Sequence, residues 1–377
     1  MDLRRTLSII RKETWHIMRD RRTFVLVTLS PVFLLLVFGY SMSVEIRNVA
    51  IALLDYDQSA LSRRYLDGLA STGDVLVRYW PQDYAELQSR LERRQAKAAV
   101  VIPTGFESDL LAGREASLQV IVDGTDPNTA NHAMTHIGGY TQGLALEILG
   151  ETLQRQGIDT DEMIGIDLRM RTWYNPTLKP IIGWIPGIIA SVLGMPAVAA
   201  TLALAGEKEK GTLEALIATP VRRSELLLGK LIPYVLSGLL SAALCALVGI
   251  YWFGAPFRGS FLLYLLLSAD FFFATLSLGM LISVFVPSQQ AAMACAMLIF
   301  LFPGFFLSGL FYPIASMSPM MKMEAYMMPT THYVTIARGL FLKGLGMESL
   351  WPFALALLIM GTLVTAIAIL TFKKKLA

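Results

Sequence analysis

"FVLVTLSPVFLLLVFGYSMSV", residues Phe24 to Val44, carries no charged side chain. Coiled as an α-helix it would extend roughly 30 Å, the thickness of a bilayer's hydrocarbon core. The run therefore reads as a membrane span. A cleaved signal peptide is the competing reading, helped by Ser41-Met42-Ser43. The apolar run is too long for one, however, and a long basic segment precedes it, so an uncleaved signal anchor is the expectation.

The whole chain points the same way. Of its 377 residues, 54% are hydrophobic and 16% charged, and the mean hydropathy is +0.54. That lies outside the soluble globular class, which makes the bilayer the main solvent. A net charge of +3 is small for a nucleic-acid binder, and the basic residues gather at span edges rather than along one helix face, so nucleic acid is not expected as a partner. Cys245 and Cys295 lie in apolar runs without metal or redox spacing and read as buried thiols.

Five further apolar runs follow, near Ile181 to Ala205, Leu226 to Phe253, Phe261 to Val286, Gln290 to Tyr312 and Leu350 to Phe372. Arg4, Arg5, Arg11, Lys12, Arg19, Arg21 and Arg22 precede the first span. Lys208, Lys210, Arg222 and Arg223 separate the second from the third, and Lys373, Lys374 and Lys375 follow the last. The positive-inside rule places all three groups in the cytoplasm, with both termini, and fits an even number of spans. Before the first span, Leu3, Leu7, Ile10, Thr14 and Ile17 recur at helical spacing. A helix lying on the inner leaflet, its basic face drawn to anionic lipid, is expected; a helix packed only on protein is the alternative.

With the amino terminus inside, Glu45 to about Leu178 is external and long enough to hold its own core. The runs Val49 to Asp55, Val75 to Trp80, Ala98 to Pro103 and Leu118 to Gly124 read as strands, and Tyr84 to Arg94 as a helix. Asp126 and Pro127 open a second helix that reaches about Gln154. The expected fold is an α-helical polytopic membrane protein of six transmembrane helices, with an α/β extracytoplasmic domain between the first and second spans. His132 and His136 share a helix face at metal-ligand spacing, but no carboxylate or cysteine completes a set, so a polar surface is expected and no metal. "TWYNP", Thr172 to Pro176, reads as an interfacial anchor.

The spans show none of the paired carboxylates or nucleophile-base pairs of an enzyme. Asp270 is the clearest ionisable residue inside a span, and an aspartate at mid-depth costs about 2.5 to 3.5 kcal/mol on insertion scales. It is expected to act in function, or else to be protonated and hydrogen-bonded to a neighbouring helix. After the fifth span a stretch rich in Pro, Gly and Met, Phe300 to Val334, is too interrupted for one straight helix and reads as re-entrant or interfacial.

The most informative loop reads "GEKEKGTLEALIATP", Gly206 to Pro220. Its opening is one lysine short of a phosphate-binding loop, because Thr212 stands where that lysine belongs. It also follows a span rather than a strand, and Glu207 and Glu209 would repel phosphates. Leu213, Leu216 and Ile217 instead share one face of a short helix that Pro220 ends, with Glu207, Lys208, Glu209 and Lys210 as a charged collar. Such a surface suits a cytoplasmic partner, or the chain's own membrane edge.

This order resembles the signature between the second and third spans of type-2 ABC exporter permeases, E-[RK]-E-[RK]-G-T-L-E-x-L-x-x-[ST]-P, matched at Glu207, Glu209, Gly211, Thr212, Leu213, Glu214, Leu216, Thr219 and Pro220. The likeness covers the whole chain and points to the branch with a large external domain that resembles bacterial multidrug permeases, through Tyr174-Asn175-Pro176 and "FLSGLFYPI" (Phe306 to Ile314). It implies an inner-membrane exporter subunit moving drugs or other amphipathic compounds by alternating access. Residues 1–23 would be a cytoplasmic amphipathic connector helix, 24–44 the first span, 45–180 the external domain and 181–377 the five remaining spans. Within the last, 207–220 would be a coupling helix and about 313–349 a re-entrant or external segment.

The resemblance implies that Glu207, Glu209, Gly211, Thr212, Leu213, Glu214, Leu216, Ile217 and Pro220 couple to separate ATPase subunits that bind ATP and magnesium. The turn Pro287 to Gln290 is a weaker contact. This chain would bind no cofactor and have no ATPase of its own. A second permease, identical or related, completes the dimer; a periplasmic adaptor could seat on the external domain, and lipids surround the spans. An ion-coupled secondary transporter using Asp270, and a non-transporting scaffold or receptor, are the competing functions.

Overall fold

A computed structural model describes residues 3–42, 48–73, 75–155, 171–176, 179–211 and 222–372. The chain divides into two compact units, one of Met1–Val44 with Arg171–Ala377 and the other Glu45–Met170.

The first unit is helical, and among the described residues six helices are long and apolar enough to span a membrane: Val25–Met42, Pro180–Glu209, Arg223–Tyr251, Phe261–Phe285, Gln289–Phe306 and Met347–Thr371. The second span is two helices, Pro180–Val192 and Met195–Glu209, broken at Leu193-Gly194. Pro196 explains the break, since it has no amide hydrogen and its ring crowds the preceding turn. The fifth span stops at Phe306, short of the expected Tyr312, because Gly309 takes a left-handed conformation with φ +79°.

Beyond it the chain is not one straight helix. It forms a helix from Pro319–Tyr326 and another from Pro329–Arg338. The second of these buries Tyr333, Val334, Ile336 and Ala337, and Arg338 donates to the carbonyls of Gly309 at 2.9 Å and Leu310 at 3.1 Å. Those carbonyls have no helical partner, so the guanidinium pins the chain just past the fifth span.

Lipid is as apolar as leucine, so spans in a membrane are held by close approach and by polar contacts rather than by apolar burial. Both devices are present. A Cβ on Gly279 of the fourth span would stand 2.9 Å from the Ala197 carbonyl oxygen of the second, so only glycine lets the two backbones meet there. Hydroxyls cross between helices: Ser191 donates to the Gly304 carbonyl (3.0 Å), Tyr264 to the Ala242 carbonyl (3.0 Å), and Ser277 pairs with Thr365 at 2.6 Å. In the first span a turn of π-helix, Val25–Leu29, turns the Val27 carbonyl toward Ser241 of the third, whose hydroxyl donates to it at 2.8 Å.

The second unit carries a four-stranded sheet of order β2-β1-β3-β4, with β1 Val49–Asp55, β2 Val75–Tyr79, β3 Ala98–Ile102 and β4 Gln119–Val122. β1 runs parallel to β2 and β3, and β4 antiparallel to β3. Side chains alternate across a strand: Val49, Ile51 and Leu53 join one core with Tyr65, Leu69 and Ile137, while Ala52 and Leu54 join another with Leu87. Helices cover both faces, Ala60–Ser71 and Pro127–Arg155 on one and Tyr84–Glu92 on the other. Burial on two sides accounts for the central strands β1 and β3, which read as apolar runs. Asp126 caps the long helix, accepting from the Thr129 amide at 3.3 Å. On that helix the His132 and His136 rings lie 4.3 Å apart.

Gly279→Leu should separate the second and fourth spans. The expected result is a lower melting temperature in detergent than wild type and less protein recovered from membranes, with Gly279→Ala intermediate.

Candidate functional site

Glu207, Lys208 and Glu209 close the second span, and consecutive residues on a helix point about 100° apart. They therefore fan out to three different neighbours. Lys208 Nζ donates to the carbonyls of Val284 (3.0 Å) and Val286 (3.2 Å), which end the fourth span without helical partners. Glu209 Oε2 accepts from the Gln289 amide at 2.8 Å, one of the unpaired donors that open the fifth span. Both ends of the turn Pro287 to Gln290 are thus held by adjacent residues of one helix.

Glu207 faces the other way, into a cluster of four charges. Its Oε2 lies 2.7 Å from Lys230 Nζ of the third span, and its Oε1 3.7 Å from Lys12 of the amino-terminal helix, Leu3–Arg19. Glu13 of that helix completes the set, with its Oε1 2.9 Å from both Lys230 and Lys12. The Lys230 and Glu13 side chains are only 6% and 3% exposed, so each charge depends on its partner for solvation. Burial by itself would raise the Glu13 carboxyl, but Lys230 with Lys12 outweighs it and holds the group below its ordinary value. Burial would lower Lys12, and the carboxylates of Glu13 and Glu207 reverse that and raise it.

This cluster sets which face of the amino-terminal helix meets the rest of the protein. On the protein side Thr6, Ile9, Glu13 and Ile17 are buried, while Leu7 of the apolar stripe is 54% exposed. Hydrophobic spacing alone put Glu13 outside the contact stripe, and pairing with Lys230 brings it in. A glycine makes room for the approach: a Cβ on Gly229 would stand 2.8 Å from Ile9.

The expected collar is therefore occupied inside the chain at Glu207, Lys208 and Glu209. Gly211, with φ +72°, ends the helix in the left-handed conformation that glycine adopts freely. Where the third span begins, the Arg222 amide donates to Glu225 at 2.9 Å. The loop thus leaves from two fixed feet. Thr212, Leu213, Glu214, Leu216, Ile217, Thr219 and Pro220 lie outside the described residues.

Two members of the cluster, Glu13 and Lys230, escaped the sequence reading. A lone lysine in the apolar run "LLLGKLIPY" was a signal of the kind that singled out Asp270. Asp270 itself stands apart from the cluster. It lines a pocket of about 470 Å³ between the fourth and sixth spans, and no hydrogen bond to a neighbouring helix reaches it among the described residues.

The sequence model of the ABC-2 family transporter proteins matches residues 21–370. The Escherichia coli (strain K12) protein "Probable multidrug ABC transporter permease YbhS" is 32% identical over 354 residues, 90% of this chain and 89% of its own. "Inner membrane transport permease YhhJ" of the same strain is 30% identical over 357 residues, 90% and 91% of the two chains. "Probable multidrug ABC transporter permease YbhR", again from that strain, is 26% identical over 376 residues, 98% and 99%.

Lys230→Met should leave Glu13 and Glu207 buried against each other and destabilise the chain by about 3 to 5 kcal/mol. Adding Glu13→Met should recover much of the loss, since Lys12 remains for Glu207; thermal melting of both variants checks this. The depressed Glu13 contributes stability above its unfolded value near 4.5, and that contribution fades as pH falls through its lower folded value. Hydrogen exchange over Leu3–Arg19, corrected for intrinsic rate, should show protection lost on acidification below 4.5. Glu13→Gln should show weaker protection that depends less on pH.

Proposed function

The chain belongs to the ABC-2 family of transporter proteins and is the transmembrane permease subunit of an ABC exporter; from that premise we propose that it exports drugs or other amphipathic compounds by alternating access, driven by ATP hydrolysed on separate subunits. The cargo reading rests on the names of its relatives and on the apolar spans. The observation that carries the drive mechanism is the threefold anchoring of the second span's end by Glu207, Lys208 and Glu209.

The loop 212–220 is the handle for the ATPase, with Leu213, Leu216 and Ile217 as its apolar ridge and Glu214, Thr212 and Pro220 shaping it. ATP binding brings two ATPase subunits together and displaces the loop. The displacement enters at the feet, Gly211 and Arg222, and so reaches the second and third spans directly. Glu207 passes it to the amino-terminal helix through Lys230 and Glu13, and Lys208 with Glu209 to the fourth and fifth spans. A ligand that favours one arrangement of packed helices thereby shifts a two-state equilibrium.

In this reading the basic ends face the cytoplasm of a bacterial cell, the chain pairs with a second permease of the same or a related kind, and the domain between the first two spans projects outward, where a periplasmic adaptor could seat.

Purifying the chain from native membranes tests it. An ATPase should accompany it, and Leu213→Asp should abolish that association. Glu209→Ala should keep the ATPase bound while its cargo-stimulated activity falls roughly fivefold or more, the scale of an interrupted coupling. Transport that persists without the ATPase and collapses on adding a proton uncoupler would overturn the proposal.

A further inference from the structure

Asp270 is the tenth residue of the fourth span, roughly 14 Å along it from Phe261 at 1.5 Å per residue. Its side chain is half-buried, and among the described residues no hydrogen bond or ion pair engages it. The polar groups around it in the same span are satisfied. Ser268 pairs with the Tyr333 hydroxyl at 2.6 Å and Ser277 with Thr365. Asp270 thus incurs the insertion cost of a carboxylate without holding helices together.

The pocket that Asp270 lines has walls of Leu266, Met347, Trp351, Leu355 and Leu358, and no lysine, arginine or histidine. At about 470 Å³ it has the size of a small-molecule site. Leu266, Trp351 and Leu358 are 61%, 54% and 49% exposed, so its mouth opens on the flank of the helical body, between the fourth and sixth spans. A single acid in an apolar recess lacks one complement, a cation, and apolar walls accept only one that carries hydrophobic groups. The Trp351 indole adds a surface that attracts cations through its ring quadrupole. We propose that this pocket binds hydrophobic organic cations, with Asp270 pairing the charge and Trp351 and the leucines holding the hydrophobic body. The proposal rests on the exporter reading for its cargo, and the pocket's position gives that cargo a route in from the bilayer.

Two sources share this chemistry, a dissolved lipophilic cation and the ammonium head of phosphatidylethanolamine. The test uses the full chain in phosphatidylcholine nanodiscs, with tetraphenylphosphonium as probe and tetraphenylborate as a control of like shape and opposite charge. Wild type should bind the phosphonium saturably and the borate not. Asp270→Asn, nearly isosteric, should weaken phosphonium binding by about tenfold or more, as loss of a partly buried charge partner does. Asp270→Glu should restore most of it, and Trp351→Leu should weaken it severalfold, with melting temperatures near wild type in all three.

Phosphonium binding by Asp270→Asn equal to wild type, absence of saturable binding, or equal binding of both ions would overturn the site. Adding phosphatidylethanolamine separates the sources: competition in wild type marks the lipid ammonium as an occupant, and unchanged affinity assigns the pocket to dissolved cations. No ATPase or transport is measured, so failure of this binding leaves the exporter reading intact, and failure of ATP-driven export leaves the pocket intact.

Discussion

A lysine held between two carboxylates in a nearly dry setting is the constraint on which the helical body's basic end depends. Lys230 touches Glu207 at 2.7 Å and Glu13 at 2.9 Å, and with Lys12 the cluster is electrically balanced. Such clusters are poor sources of stability, since apolar residues of similar volume often serve as well, but they are intolerant of losing one member. Their effect is on arrangement. One register and one rotation of the amino-terminal helix satisfy all four charges, and that rotation is the one observed, with Thr6, Ile9, Glu13 and Ile17 inward.

The same helix end does two further tasks with adjacent side chains. Lys208 meets the carbonyl end of the fourth span and Glu209 the amide end of the fifth, each matching the sign of charge that a helix terminus presents. A turn that a sequence shows only as Pro287 to Gln290 is thereby joined to a signature some eighty residues earlier, as the separation of Glu209 from Gln289 records. The charges at Glu207, Lys208 and Glu209 build a base inside the chain that joins four helices to the end of the second span.

Elsewhere the two units are held by different physics. In the second unit, apolar side chains alternate across a sheet whose faces are both covered by helices, so exclusion of water supplies the cohesion. In the first, close approach at Gly279 and hydroxyl bonds such as Ser277 to Thr365 substitute for it. Ionisable groups in the spans then divide by their partners. Lys230 has two and is structural, whereas Asp270 has none among the described residues and faces a recess large enough for a ligand.

Six spans, the sheet of the intervening domain and the family were legible in the sequence, because hydrophobic length, short β-rich runs and a local motif are properties of neighbouring residues. Val49 to Asp55 needed no tertiary information, nor did the match of Glu207 to Pro220. The direction in which Glu207 and Glu209 point did need it, as did the roles of Glu13 and Lys230 and the face of the amino-terminal helix. Glu13 and Lys230 are 217 residues apart, and each looks misplaced until the other is beside it. Spacing along a helix records which residues share a face; only the packed structure decides which face is buried, because that depends on charges and small residues contributed by distant segments.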